Sequence, residues 1–238
     1  MTAPARDRWA RTLRIWLLAL IACDVALIVA RVATYPAFFS MSGALGYLIE
    51  SLAPLVVYAA VIAALPLIVA RIPQASVALR IGFIVGLIGG SIEVVSTALE
   101  SLFVLPQQLV SAVTLTAMLS LFLLFAIAGY IGARRAGAFW PGFISAIWSA
   151  MCAILVVITF GFLIALTSLP KLAHDMTGDP DYMRSGWTDT RAFAIANTFD
   201  AGFTHLVEAP VIAAALGAIG SGAARLTRRR ERATSDVI

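Results

Sequence analysis

Residues 140–169 read WPGFISAIWSAMCAILVVITFGFLIALTSL, an apolar stretch without one Asp, Glu, Lys, Arg or His. About 20 such residues, as a helix, cross the roughly 30 Å hydrocarbon core of a bilayer. Five more largely apolar runs cover residues 13–33, 44–70, 79–105, 109–131 and 203–226, all but the fourth of these with a few ionisable residues. The alternating short strands of a membrane barrel do not occur. Pro73, Pro106 and Pro141 fall in or beside the breaks, where a missing N–H does least harm, and Gly43 and Ala136-Gly137 mark two others. The expected fold is an all-α integral membrane protein of about six transmembrane helices in one bundle.

Composition agrees. The chain has 238 residues, 61% hydrophobic and 13% charged, against about 45–50% and about 25% in soluble domains. One polytopic domain over 1–238 is expected, with an exterior loop at about 170–191 and a short basic tail at about 225–238.

The basic residues set the orientation. Arg6, Arg8, Arg11 and Arg14 precede the first span, Arg71 and Arg80 bracket the second break, and Arg134 and Arg135 fill the fourth. Arg225, Arg228, Arg229, Arg230 and Arg232 close the chain. With six spans all of these fall on one side, and only Arg31, Lys171, Arg184 and Arg191 on the other. The positive-inside rule then places both termini in the cytoplasm, in what is expected to be a bacterial inner membrane. Trp16, Tyr130 and Trp140 fit an inner aromatic belt, and Tyr35, Tyr47 and Trp187 an outer one. Anionic lipid head groups are the expected partners of the tail. Too few residues follow its arginines to fold a nucleic-acid-binding module.

Leu20-Ile21-Ala22-Cys23 resembles a bacterial lipoprotein cleavage box, which would lipidate Cys23. The chain stays apolar through Val32, however, so the plainer reading is an uncleaved first helix. The exterior loop is polar, with Gly178, Pro180 and Gly186 as turn formers and Tyr182 and Trp187 as anchors. It reads either as a small ordered cap or as a solvated linker. Residues 188–199 read as helix, so the sixth helix is expected to start above the bilayer.

Function is sought in the ionisable groups within the spans: Asp24, Glu50, Glu93, Glu100, His205 and Glu208. A carboxylate at the helix centre costs roughly 2.5–3.5 kcal/mol to insert, so such residues face an interior or a wet cavity. Glu93 and Glu100 share one helix face with Ser96 and Thr97 nearby, and His205 and Glu208 share another. If helices two, three and six adjoin, Glu50, Glu93, Glu100, His205 and Glu208 form an outward-facing cluster, with Asp24 and Asp200 as a proton relay. A divalent metal is the cofactor such a cluster would take: imidazole with carboxylates suits zinc, manganese or iron, and carboxylates alone suit calcium or magnesium. Pro54 and Pro210 free the carbonyls of Glu50 and Leu206, which then either bind a cation or merely mark bends.

Gly82, Gly86, Gly89 and Gly90, and later Gly217, Gly220 and Gly222, form surfaces for close helix approach, inside the bundle or at a dimer seam. If helices three and six press together there, Glu93 or Glu100 could meet His205 and Glu208. Nucleotide-hydrolysing loops and His-Glu-x-x-His are absent from the sequence. Ser221 lies about 24 Å from His205 by helix rise, which excludes a Ser–His pair. Cys23 and Cys152 occupy separate spans and read as small hydrophobes. The chain therefore reads as a carrier or channel-like protein for a cation or small solute. An accessory or signalling subunit and a metal-dependent intramembrane enzyme are the alternatives, and a homo-oligomer or partner membrane protein stays open.

Overall fold

Six helices in the computed structural model are long and apolar enough to cross a bilayer. The structure describes residues 3–67, 74–103 and 105–235, with side chains from 10 to 231. Arg71 and Pro73 lie outside the described residues, as do the side chains of Arg6, Arg8 and Arg232. The long helices are α1 (Ala3–Thr34), α2 (Ala44–Ala63), α3 (Ala75–Leu102), α4 (Gln107–Ala136), α5 (Phe139–Thr167) and α8 (Thr190–Ser235). Between α5 and α8 come the short α6 (Leu169–Asp175) and α7 (Pro180–Ser185), with a 3-10 turn at Met176–Gly178. No strand occurs among the described residues.

Contacts between the helices fix their directions independently of hydropathy. Gly82 meets Ser145 and Gly90 meets Ala153, so α3 runs parallel to α5. Gly129 meets Gly217 while Arg134 O meets Arg228, so α4 runs parallel to α8. Asp24 meets Thr159 and Arg31 meets Ala165, so α1 runs parallel to α5. Ser51 meets Phe199 and Tyr58 meets Leu206, so α2 runs parallel to α8. Gly142 faces Ser221 whereas Phe162 meets Phe199, so α5 and α8 are antiparallel. Odd and even spans therefore point in opposite directions, as six successive crossings require. Arg14 of α1 and Arg225 of α8 consequently lie at the same end of the bundle.

α5 is the hub, packed against α1, α3, α4 and α8, while α2 leans on α8 and α1. Glycine lets the backbones touch. A Cβ at Gly82 would sit 2.6 Å from the Ser145 carbonyl, and one at Gly86 2.5 Å from that of Ser149. The small-residue face of α3 thus meets α5, and not α8 as the conditional pairing of helices three and six required. Gly129 presses on Gly217 in the same manner between α4 and α8.

Three helix C-termini are capped by a cation from another segment. The last carbonyls of a helix lack backbone donors and carry the negative end of its dipole. Arg31 Nη1 donates to Ala165 O at 3.4 Å and Leu166 O at 3.5 Å at the end of α5. Lys171 Nζ donates to Ser101 O at the end of α3, and Arg228 Nη2 to Arg134 O at the end of α4.

The exterior loop folds into an ordered cap. Asp179 caps α7 by accepting from the N–H groups of Asp181 and Tyr182. Trp187 joins Phe38, Tyr47 and Phe193 at centroid distances of 6.4, 5.9 and 6.0 Å, tying the α1–α2 connection to α8. Asp189 accepts from the N–H groups of Arg191 and Ala192 with one oxygen and from Tyr35 Oη with the other, the last at 2.7 Å. That hydrogen bond, joined by desolvation and the Asp189 charge, raises the pKa of Tyr35 above its ordinary 10.0. The neutral phenol is therefore the folded form. The tie is complete below pH 10.0 and is lost as pH rises through the higher folded value. Trp187 emission should report that alkaline transition, and Tyr35→Phe should abolish it.

Candidate functional site

Asp24 has no exposed surface, and it is the most enclosed acid of those singled out from sequence. Its Oδ1 lies 2.6 Å from Thr159 Oγ1, and its Oδ2 is buried with no hydrogen-bond partner. The same Thr159 oxygen lies 2.8 Å from Leu155 O, four residues back along α5. A hydroxyl has one hydrogen to donate. If Thr159 donates to an ionised Asp24, it releases Leu155 O. If it bonds back to Leu155 O, the short contact to Asp24 closes only with a protonated carboxyl donating to Thr159. Thr159 is thus a rotor whose direction follows the charge on Asp24.

The surroundings differ above and below this pair. Toward the arginine-rich end, a cleft of about 340 Å³ runs between α1, α3 and α5, lined by Leu13, Trp16, Leu17, Leu20, Phe83 and Leu87 among others. Leu20 and Val156, both on its wall, stand one turn before Asp24 and Thr159. Toward the other end, Arg31 lies about 10 Å beyond Asp24 by helix rise. Its guanidinium is buried against the end of α5, with Nε unpartnered. The pocket side of Asp24 is therefore apolar and the cap side is closed by a cation.

Glu93 is half-buried. It continues the stripe of Gly82, Gly86 and Gly90 on α3, and Gly90 packs on Ala153 and Val156 of α5. One further turn brings Glu93 level with Thr159, so Asp24 and Glu93 approach the hub helix at a similar height from different helices.

The remaining sequence candidates are placed otherwise. Glu50, Glu100, Asp200, His205 and Glu208 are exposed, pointing out of the bundle. The reason for His205 and Glu208 is register. α8 buries Phe199, Gly202, Leu206, Ala209 and Ala213, and positions 205 and 208 lie off that stripe. Helices two, three and six do not converge either, since α3 sits on α4 and α5 whereas α2 sits on α8 and α1. Among the described residues no three His, Cys, Asp or Glu side chains are grouped to hold a metal. A cluster shared by Glu50, Glu93, Glu100, His205 and Glu208 does not form within one chain.

The carbonyl freed by Pro210 is also accounted for. Tyr58 Oη donates to Leu206 O at 2.9 Å, supplying from α2 the donor that proline removes from α8. An unsatisfied buried carbonyl costs about 1–3 kcal/mol. Tyr58→Phe should therefore destabilise the bundle by about that much, and in a Pro210→Ala background, where the residue-210 N–H returns, it should cost little. Equal costs of Tyr58→Phe in both backgrounds, in a thermal-unfolding double-mutant cycle, would show that the tyrosine serves the helix break in no way. The sequence contained both residues but gave no sign that they meet.

Cys23 is exposed midway along an unbroken α1, and Cys152 is buried in α5. Comparison with protein-family models, curated proteins and solved structures gave no match to this chain.

Proposed function

We propose that the chain is a membrane carrier for a proton or small cation, with Asp24 as the residue that binds the charge. The observation that carries this reading is the fully enclosed carboxyl with one oxygen on the Thr159 rotor and the other unpartnered. An ionised carboxylate costs several kcal/mol in such surroundings without a compensating charge or donor. A proton arriving at Asp24 removes that cost and turns Thr159 back to Leu155 O, whereas a bound cation offsets the cost while the carboxylate stays ionised and keeps accepting from Thr159. Charge binding is thereby linked to the α1–α5 contact, the differential interaction that a two-state carrier requires.

Two structural contrasts support the direction of movement. The backbone-to-backbone glycine contacts lock α3, α4, α5 and α8 together, whereas a Leu-lined cleft flanks α1. In the proposed cycle α1, carrying Asp24 and Arg31, shifts against that rigid core. The cleft gives access from the arginine-rich end, which we assign to the cytoplasm by the positive-inside rule. Arg31 and the Tyr35–Asp189 tie close the opposite end. The same arginine-rich end is proposed to face the anionic head groups of a bacterial inner membrane.

The test is cation- or proton-gradient-driven flux into proteoliposomes, scored by a pH-sensitive dye and by tracer cations. Flux above protein-free liposomes is the expected result, and none with any monovalent or divalent cation or with protons overturns the reading. The accessory-subunit alternative has one observation in its favour: exposed Glu208 and His205 on the outer side of α8, where a partner helix would shield them. It predicts co-purification of a partner that Glu208→Leu releases, with no flux from either protein.

A further inference from the structure

The parallel helices α2 and α8 diverge on their outer side to leave an apolar groove of about 440 Å³. Its walls are two stripes at helical spacing: Pro54, Val57 and Val61 on α2, and Phe203, Val207 and Pro210 on α8. Val57 and Val207 are exposed, so the groove opens sideways into the surrounding lipid. Both prolines face it.

Each stripe continues, one turn toward the cap, into a carboxylate. Glu50 precedes Pro54 by four residues and Asp200 precedes Phe203 by three, so each acid shares the face that lines the groove. The hydrogen bond from Ser51 Oγ to Phe199 O, 3.0 Å, sets these two segments side by side. Glu50 and Asp200 thus stand at nearly one height at the mouth of the groove. Both are exposed, and neither has an ion-pair or hydrogen-bond partner among the described residues.

We infer that this groove binds a single-chain amphiphile with an ammonium head, its alkyl tail between α2 and α8 and its head between Glu50 and Asp200. The volume falls within the roughly 300–1,000 Å³ of ligand clefts. Lipid tails are as apolar as the lining, so the tail supplies fit and little preference. Selectivity rests on the head. Two unpaired carboxylates attract an ammonium, give it charge-assisted acceptors and repel anionic lipids. A zwitterionic phospholipid brings its phosphate to the same acids and fits less well. The site is on a different face from Asp24 and does not depend on carrier activity.

The experiment uses a photoactivatable dodecylammonium in proteoliposomes holding the full chain, with labelled peptides mapped by mass spectrometry. Labelling concentrated in residues 53–61 and 203–210 is expected, displaced by unlabelled dodecylammonium but not by dodecanoate or phosphatidylethanolamine. The double variant Glu50→Gln with Asp200→Asn should cut site labelling by about tenfold, the size expected for losing charge-assisted hydrogen bonds. Val57→Trp, at an exposed position that leaves the buried core untouched, should block the groove and cut labelling for both probe and competitor. Uniform labelling of lipid-facing residues, equal displacement by dodecanoate, or labelling that survives the two charge substitutions would each overturn the inference.

Discussion

Gly86→Ala is expected to destabilise the protein, although alanine normally favours a helix interior over glycine by about 1 kcal/mol. The new Cβ would sit 2.5 Å from Ser149 O and 2.7 Å from Cys152 Cβ, with Ala153 N at 3.3 Å. Two of these three are backbone atoms of the hub helix, which no rotamer change can move. α3 must therefore withdraw from α5 along the contact that Gly82 and Gly90 share, and close packing is the main force holding helices together in lipid. Overpacking of this kind costs about 1–3 kcal/mol, enough to reverse the propensity gain, and valine at the same position should give little folded protein. Gly161→Ala is the control. It lies in α5 itself with nothing within 4 Å of the added Cβ, so it should be neutral or stabilising. In detergent the thermal unfolding midpoint should fall for Gly86→Ala and hold or rise for Gly161→Ala. Shifts of the same sign and size would mean that the α3–α5 seam is not under steric control.

The sequence made the six crossings legible because membrane insertion demands an unusual, contiguous composition that needs no tertiary information. The helix boundaries were read less well. The helical reading of residues 188–199 anticipated the early start of α8 at Thr190, but the apolar run ended at 226 whereas the helix continues through its arginines to Ser235. Which helices touch was less legible still. The glycines of α3 announced close packing, yet nothing in their spacing named α5 as the partner. The polar sites failed for a related reason. On an all-apolar helix the hydrophobic pattern does not reveal which face is buried, so the sharing of a face by His205 and Glu208 was correct while the inward direction was not. Asp24 has no charged neighbour three or four residues away, and Arg31, seven residues on, was read only as part of the charge bias, so Asp24 drew less weight than His205 and Glu208. Its true partner, Thr159, is 135 residues away.

Asp24→Asn is expected to abolish charge-coupled flux while leaving the fold intact. The amide keeps the volume of the carboxyl and can donate to Thr159 Oγ1 as the protonated acid does. Thr159 would then remain turned to Leu155 O, fixing the rotor in the position it takes when Asp24 is neutral. Asparagine cannot release or accept a proton at this site, and it offers a cation no charge. Flux should fall to that of protein-free liposomes. Thermal stability should hold or rise, because removing an acid from an enclosed apolar site also removes the cost of ever charging it. Thr159→Val separates the two halves of the scheme. It deletes the rotor but keeps the titrating carboxyl, so charge should still bind while its coupling to the α1–α5 contact is lost, lowering flux without abolishing binding. Asp24→Asn protein that transports at the wild-type rate would remove Asp24 from the mechanism. A variant that instead fails to fold, with Asp24→Glu restoring the fold but no flux in any form, would make the Asp24–Thr159 contact a purely structural interhelical bond.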